Sequence, residues 1–317
     1  MRRALRSVAV LGALGLGACL GPYPNIGEKL DATSRVSGSS YITLNSGNAR
    51  VLVLAPLDGG QRAAFTRIDE FQPRAVETLQ GTWSDPGVDI TFSTSTIFTL
   101  PDELTRPVSS RRGATRKTLS PPMVSAATLV AVSGDTLELA GPAEVAGTYH
   151  TLASRTASIR DTDATSPACA FHVANLAVES SEARVPGFNS AGLTQYLNRV
   201  EPFQGILSGT MSIGLVGLFS PVSTITFQNY ADYEGVVLNG QQISSTDTSG
   251  NGALSGVVTF HIERRGMAPL EGSVDYRAVT LSGGNESGDY LVTLDGGTET
   301  RVPTGHRIPS LEECLGL

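Results

Sequence analysis

Asp247, Ser249 and Asn251 stand at alternate positions and are followed by Gly252, which matches the first six positions of a calcium-binding loop. Alternating oxygen-bearing side chains can converge on one Ca²⁺ ion, and the glycine permits the sharp turn that this requires. The twelfth position, however, is Val258, where such a loop needs a bidentate glutamate. The segment is therefore either a calcium candidate or the polar tip of a hairpin, and we favour the hairpin.

Recognisable catalytic motifs are missing from the sequence. It contains no Gly-x-Ser-x-Gly, His-Glu-x-x-His, Ser-x-x-Lys or Walker motif. The histidines have no histidine partner at the i+2 or i+4 spacing of a metal site; they are His150, His172, His261 and His306. A triad assembled from distant residues would not show in a sequence. We therefore expect a protein that is not an enzyme and has no cofactor, with an enzyme of unrecognised type as the lesser alternative.

A cluster of basic residues lies between positions 106 and 117. Its serine and glycine content predicts an exposed loop. Such a loop could bind an anionic ligand, such as a lipid headgroup or an acidic partner, or it could simply be solvated, which is the commoner case. The candidate residues for an anionic ligand are Arg106, Arg111, Arg112, Arg116 and Lys117.

The first 19 residues have the layout of an export signal. Arginines near the start precede an apolar stretch over residues 8–16, and Leu16-Gly17-Ala18-Cys19 follows. This arrangement resembles a bacterial lipoprotein signal with its lipobox. The resemblance implies cleavage before Cys19, a diacylglycerol and palmitate-type acyl chains on that residue, and a mature chain held on a membrane by its lipid.

The leader leaves some alternatives open. An ordinary secretory signal would be cut near the same alanine-rich end, and Arg2-Arg3 also fits a twin-arginine export signal. The apolar stretch is too short to span a bilayer as a helix. Leu20 follows the cysteine, where Asp would retain a lipoprotein in the inner membrane, so we expect the outer membrane, with a body that faces the periplasm or the outside.

Lipidation of Cys19 would leave two cysteines, Cys169 and Cys314. An exported compartment oxidises thiols, so this remaining pair favours one disulfide over two buried free thiols. The bond would join the C-terminal tail to the middle of the chain. Ser310 and Glu313 have the spacing of a capping box, which predicts a short helix carrying Cys314.

The composition excludes some classes of partner. The full chain has a net charge of −7, and removal of the leader would take away basic residues only. A chain this acidic is not expected to bind nucleic acid through a general basic surface. The 35 glycines and 17 prolines, with abundant Thr, Ser and Val, favour many short strands and turns.

Strand patterns recur along the body. Hairpins are predicted at residues 41–54 and 129–139, strands at 88–92, 96–100 and 171–178, a weaker helical pattern broken by Pro73 over 61–81, and a helix over 190–200. Between residues 224 and 294 alternating apolar and polar residues predict an antiparallel meander. The residues predicted for its inner face are Phe260, Ile262, Val274, Tyr276 and Leu291 or its alternate neighbours.

The chain is thus predicted to be mainly β, an antiparallel meander, sandwich or curled half-barrel with one or two short helices. Its predicted regions are a signal peptide (1–18), a lipidated tether (19–40), an N-terminal β-rich region (41–165) and a C-terminal β-meander region (166–317). We expect a cell-envelope lipoprotein that binds an envelope ligand or lipid. The alternative is a structural accessory subunit of an envelope assembly that contacts a partner protein.

Overall fold

The computed structural model describes residues 39–45, 48–57, 60–69, 75–84, 89–99, 115–184, 202–217, 220, 222–247, 249–282, 285–304 and 309–317. The described chain contains two large antiparallel sheets and three helices, so the predicted mainly β, antiparallel fold class is confirmed. The leader with Cys19 and the predicted helix over 190–200 lie outside the described residues.

The first sheet is a closed barrel. Its strands are β1 Ser40–Asn45, β2 Asn48–Leu57, β3 Gly60–Asp69, β4 Ala75–Trp83, β5 Asp89–Thr99, β6 Thr115–Leu119, β7 Ala126–Ser133, β8 Thr136–Ala140 and β9 Gly147–Thr151. The order β4-β3-β2-β1-β9-β8-β7-β5 closes because β5 pairs back to β4, while β6 pairs with β5 beside the barrel. Both predicted N-terminal hairpins, β1–β2 and β7–β8, are confirmed.

Strand β2 shows why the sequence forms this barrel. Leu52 and Leu54 face the interior with the other barrel core residues, while Val51 and Val53 are equally buried on the outer wall. A strand covered on both faces reads as a continuous apolar run, which is what residues 51–54 show.

Two predictions in the barrel are wrong. Where we predicted a helical pattern over residues 61–81, the described residues 61–69 and 75–81 belong to strands β3 and β4. Positions 63–66 of β3 are buried on both faces, so the strand lacks the alternation that would reveal it, and Ala63-Ala64 adds helix propensity. The two strands expected at 88–92 and 96–100 are one strand, β5, which pairs with β7 at its start and with β6 at its end.

The second sheet is a meander that bends sharply. Its strands are β10 Phe203–Gln204, β11 Ser208–Val216, β12 Val222–Tyr233, β13 Val236–Thr246, β14 Gly252–Ser255, β15 Val257–Ile262, β16 Leu270–Asp275, β17 Val279–Ser282, β18 Asn285–Leu294 and β19 Thr300–Pro303. Both β14 and β15 pair with β13, as two parts of one strand that bends at Gly256. Gly256 has a φ of 94°, and a Cβ there would lie 2.4 Å from the Gln241 carbonyl oxygen, so only glycine fits this bend.

A long helix lies between the two sheets. Helix α1 is Leu152–Thr156, and helix α2, Ser166–Arg184, contacts strands of the barrel and of the meander. Val173 and Ala177 of α2 belong to one apolar core with Ile68 of the barrel wall and Val292 of the meander. The helix therefore fills the concave side of the meander with the protein's own side chains.

The predicted strand over residues 171–178 is wrong, because this segment is part of α2. The helix is buried on nearly every face, with only a narrow, partly exposed stripe that includes Phe171 and Val178. A helix surrounded by protein loses the 3.6-residue polar and apolar period by which helices are recognised. Its five alanines, at positions 168, 170, 174, 177 and 183, favour a helix and were the available signal.

The predicted meander and its inner face are confirmed. Four of the residues predicted to face inward are between 0% and 7% exposed and belong to the core that includes α2; they are Phe260, Ile262, Val274 and Tyr276. Leu291 is also buried, but it pairs with Asp275 on the opposite face, and its neighbour Val292, which pairs with Val274, is the inward residue of β18. Thr259, between two inward positions, is exposed. Period-two alternation was informative here because the opposite face of these strands remains solvated.

The C-terminal tail is bonded to α2. Cys169 and Cys314 form the predicted disulfide, with an S–S distance of 2.07 Å and a Cα–Cα distance of 5.3 Å. Cys314 lies in helix α3, Leu311–Leu315, which begins with the predicted capping box of Ser310 and Glu313. The structure therefore confirms the pairing and the terminal helix together.

Candidate anion-binding site at the mouth of the barrel

A row of polar residues crosses the barrel near one end. Strand pairing aligns Arg50 with Arg67, Arg67 with Glu77, and, through Ile97 of β5, Glu77 with Lys117. Directly paired residues of antiparallel strands point to the same face of a sheet. We call this row of Arg50, Arg67, Glu77 and Lys117 the mouth.

The mouth faces the barrel interior. On each of these strands the residue two positions deeper in the barrel is apolar. These residues form the next row and belong to the barrel core; they are Leu52, Phe65 and Leu79. Since side chains two residues apart share a face, Arg50, Arg67 and Glu77 form a polar layer directly above the apolar interior.

The interior beneath the mouth is filled by side chains. Its aromatic residues are at most 4% exposed; they are Tyr41, Phe65, Trp83, Phe92 and Tyr149. The indole of Trp83 donates a hydrogen bond to the Ala55 carbonyl at 3.3 Å, and the rings of Phe65 and Phe92 have centroids 6.3 Å apart. An eight-stranded barrel is just wide enough for its side chains to fill. A ligand would therefore bind at the mouth, above this core.

Glu77 is held by two donors. Nη2 of Arg67 lies 2.9 Å from Oε2 of Glu77, and the hydroxyl of Ser95 donates to Oε1 at 2.7 Å. The Glu77 side chain is 14% exposed and that of Arg67 is 35% exposed. The ion pair is thus partly withdrawn from water, where its charges are screened less than on an open surface.

Arg50 is less well satisfied. Its Nη1 donates to the Ala143 carbonyl at 3.3 Å, but its Nε is buried and has no hydrogen-bond partner among the residues that the structure describes. The neighbouring Tyr149 donates its hydroxyl proton to the Val145 carbonyl at 2.7 Å. Burial raises the pKa of Tyr149 to about 12, although the nearby Arg50 guanidinium opposes this shift. Tyr149 is therefore neutral at physiological pH, and the charge of this corner is that of Arg50.

The predicted basic loop needs one correction. Residues 115–117, at the end of that segment, belong to strand β6, so Arg116 and Lys117 lie in a strand paired to β5 and not in a loop. The sequence predicted a loop because residues 115–117 are polar and show no apolar alternation. They form a strand because they pair with the long strand β5. Lys117 is exposed and joins the mouth. Arg106, Arg111 and Arg112 lie outside the described residues.

The calcium candidate is the tip of a hairpin between β13 and β14. The Asp247 carboxylate accepts hydrogen bonds from the backbone N–H groups of Ser249 and Asn251 at 2.8 and 2.9 Å. The bond from Asn251, followed by others within the turn, lowers the pKa of Asp247. Within the described part of the chain, no group of three metal-binding side chains comes together. Asp247 thus stabilises a turn.

Three of the histidines lie within the described ranges, far apart from one another. His261 is on the polar face of β15 as predicted, with Nδ1 2.5 Å from Glu271 and Nε2 2.9 Å from Glu263. Burial lowers its pKa, but the hydrogen bonds to both carboxylates outweigh burial and raise it. His172 is buried in α2, and burial lowers its pKa against an opposing hydrogen bond with the Pro309 backbone.

Arg50, Arg67 and Glu77 were not among the site residues predicted from the sequence. A signal was present for Arg50, because positions 50, 52 and 54 share one face and a strand that is otherwise apolar begins with a charge. Arg67 and Glu77 lay in the segment that we predicted to be helical. Their juxtaposition depends on strand register, which residue spacing alone does not reveal.

Comparisons with known proteins add no family. No protein-family model, no curated protein and no solved structure matches the chain. Among the described helices, none is long and apolar enough to cross a membrane. The function must therefore be argued from the geometry of the mouth and from the leader.

Proposed function

We propose that this protein is a lipid-anchored protein of the cell envelope, held in the outer membrane, which binds an anionic ligand at the mouth without catalysing a reaction. The observation that carries the ligand proposal is the register that aligns Arg50, Arg67 and Lys117 in one row with the Glu77 carboxylate. The leader with its lipobox motif supports the location.

The charge balance of the mouth supports an anion. Arginine presents a rigid fork of donors that matches carboxylate and phosphate groups, and its charge persists at every physiological pH. The row holds two arginines and a lysine against one glutamate, and Asp69 lies two positions beyond Arg67 on β3, so the described charges at this end leave an excess of one cation, although the chain as a whole carries −7. An anionic ligand would gain from both the net charge and the directed N–H groups.

The filled interiors argue against a lipid enclosed by the protein. Side chains occupy the barrel, and α2 occupies the concave side of the meander. A ligand at the surface fits this arrangement better than an acyl chain in a cavity. The same observation also favours the alternative of a structural subunit, which would use surfaces such as the one around Val130, 59% exposed on β7.

Binding at the mouth can be tested with a panel of anions on the mature chain carrying Cys19→Ser. Isothermal titration with phosphatidylglycerol vesicles, inorganic sulfate and inorganic phosphate should detect binding to at least one. Combining Arg50→Gln with Arg67→Gln should weaken that binding by at least about tenfold, because each charge-assisted hydrogen bond contributes roughly 1.5–3 kcal/mol.

Arg277→Gln is the matched control, since Arg277 is an exposed arginine of the meander that pairs with Asp275 and Glu299. It should leave the affinity unchanged. If the mouth variants bind every anion of the panel as the unaltered protein does, the anion site is wrong and the structural-subunit alternative gains.

The anchor has its own test. Cys19→Ser should move the protein from the membrane to the soluble fraction and leave the precursor uncleaved by the lipoprotein peptidase, because the acyl chains provide the membrane affinity at about 0.8 kcal/mol per buried CH₂. Fractionation and labelling with palmitate measure both effects. Persistent membrane association with palmitate label in the variant would contradict the anchor.

A further inference from the structure

Several strands of the two sheets have an unpaired edge within the described chain. Strands β6 and β19 pair with a single neighbour. Strand β7 pairs on one side only over residues 129–133, and β11 does so over residues 212–216, because β10 reaches no further than Met211. Such an edge offers backbone N–H and C=O groups to any extended chain that approaches it.

Strand β11 lacks the features that discourage pairing at the other edges. Strand β6 contains Arg116 and Lys117. Strand β19 ends at Pro303, and β7 has a bulge after Leu129. Charge, proline and bulges are the usual protections of an edge strand. Strand β11, Ser208–Val216, has no charge and no proline, and its register with β12 is regular along the whole unpaired stretch.

The unpaired stretch of β11 leaves apolar side chains in contact with water. Val216 is 72% exposed on the outer face of the sheet. Ile213 belongs to the core that includes α2, but Leu215, two positions further along the same face, is partly exposed. A strand added beside β11 would cover Leu215 and Val216 and would satisfy the free backbone groups between them.

Gly214 lies in the middle of this stretch, and the described chain does not require it. Its φ lies outside the left-handed region, and the register around it shows no bulge. A Cβ at this position would meet only the Thr224 carbonyl oxygen, at 4.0 Å, which is an ordinary contact distance. A glycine inside a strand weakens it, and without a turn or bulge it often marks the close approach of another backbone. Gly214 therefore supports a neighbour beside β11.

From these observations we infer that two copies of this chain pair through β11, antiparallel about a two-fold axis at Gly214, so that their second sheets become one. The stretch is complementary to itself in this register. Ile213 lies opposite the partner's Leu215 on the inner face, and Ser212 lies opposite the partner's Val216 on the outer face.

The two-fold arrangement also explains why the partner is a second copy. Each copy offers the same uncharged edge, so one contact satisfies both edges and leaves neither open to further chains. A ladder of five residues on each side is a small interface, so the dimer should be weak, with a Kd on the order of micromolar. The inference is independent of the ligand proposed for the mouth, which lies on the barrel.

Sedimentation velocity of the mature chain carrying Cys19→Ser tests the dimer. Between about 1 and about 200 µM the protein should change from monomer to dimer, without larger species. Protein that stays monomeric over this range would overturn the inference, since the edge would then be covered by another protein or by a segment of the same chain.

The register is tested by placing charges on the exposed positions 212 and 216. Ser212→Lys with Val216→Lys sets like charges opposite each other on both sides of the axis, and should weaken dimerisation at least about tenfold. Ser212→Glu with Val216→Lys sets opposite charges in the same places and should restore it. The two positions are about 13 Å apart along one strand, so these charges meet only between copies. Both double variants should keep the thermal transition of the unaltered protein.

Val130→Lys is the matched control, because Val130 is an exposed valine on the edge of β7. It should leave the dimer unchanged. A dimer of equal strength in the two double variants would be held by another surface and would overturn the inference. Failure of the anion titrations would leave these sedimentation results unaffected, so the two proposals fail separately.

Discussion

Replacing both Cys169 and Cys314 with alanine is expected to lower the free energy of unfolding by up to about 5 kcal/mol. The bond spans a sequence separation of 145 residues, and closing so long a loop removes much conformational entropy from the unfolded chain. The bond also holds α3, a five-residue helix that is too short to be stable without its contacts. The loss should therefore include order in the C-terminal tail.

Equilibrium denaturation in guanidinium, with and without a reducing agent, measures this effect. Reduction of the unaltered protein should approach the double variant, while reduction of the double variant should change nothing. Both sulfur-bearing side chains are no more than 4% exposed, so full reduction is expected only after unfolding. A double variant within about 1 kcal/mol of the unaltered protein would show that the bond adds little to the stability of the fold.

The meander of the second sheet was predicted because its strands have one solvated face. In the segment 254–262 apolar and polar residues alternate because one side faces α2 and the other faces water. The disulfide was predictable for a different reason, because lipidation would leave only two cysteines to pair in an oxidising compartment. Capping by Ser310 was predictable because it depends on residues three positions apart.

The parts that were missed have protein on both faces. Helix α2 has no polar side of its own, and β3 is covered by the barrel interior and by α2, so neither shows its period. Closure of the barrel is a further step, since it requires β1 to pair with β9, which lies far from it along the chain. The mouth could not be predicted for a similar reason. Arg50, Arg67 and Glu77 become neighbours only through the register of three strands.

Replacing Phe260 with Asp is expected to lower the free energy of unfolding by at least about 4 kcal/mol, the largest effect of a single substitution proposed for this protein. Phe260 is 2% exposed, and its ring lies over Gly272, where an added Cβ would be 2.4 Å from the ring. Removing a buried phenyl ring costs about 3–5 kcal/mol, and a carboxylate in its place is buried without a partner. The variant should unfold at much lower denaturant concentration or fail to fold.

Thr259→Asp is the matched control, one residue away on the other face. Thr259 is exposed, and its hydroxyl makes one long bond, 3.4 Å, to the Asn239 carbonyl, so the same aspartate there should change the unfolding free energy by no more than about 0.5 kcal/mol. Phe260→Leu separates the effect of a buried charge from the effect of lost side-chain volume. It keeps an apolar side chain, so this variant should fold with a smaller loss of unfolding free energy. Parallel denaturant titrations of the three variants give the comparison. Equal stability of Phe260→Asp and Thr259→Asp would contradict the face assignment of β15, and with it the role of α2 as the layer that covers the meander.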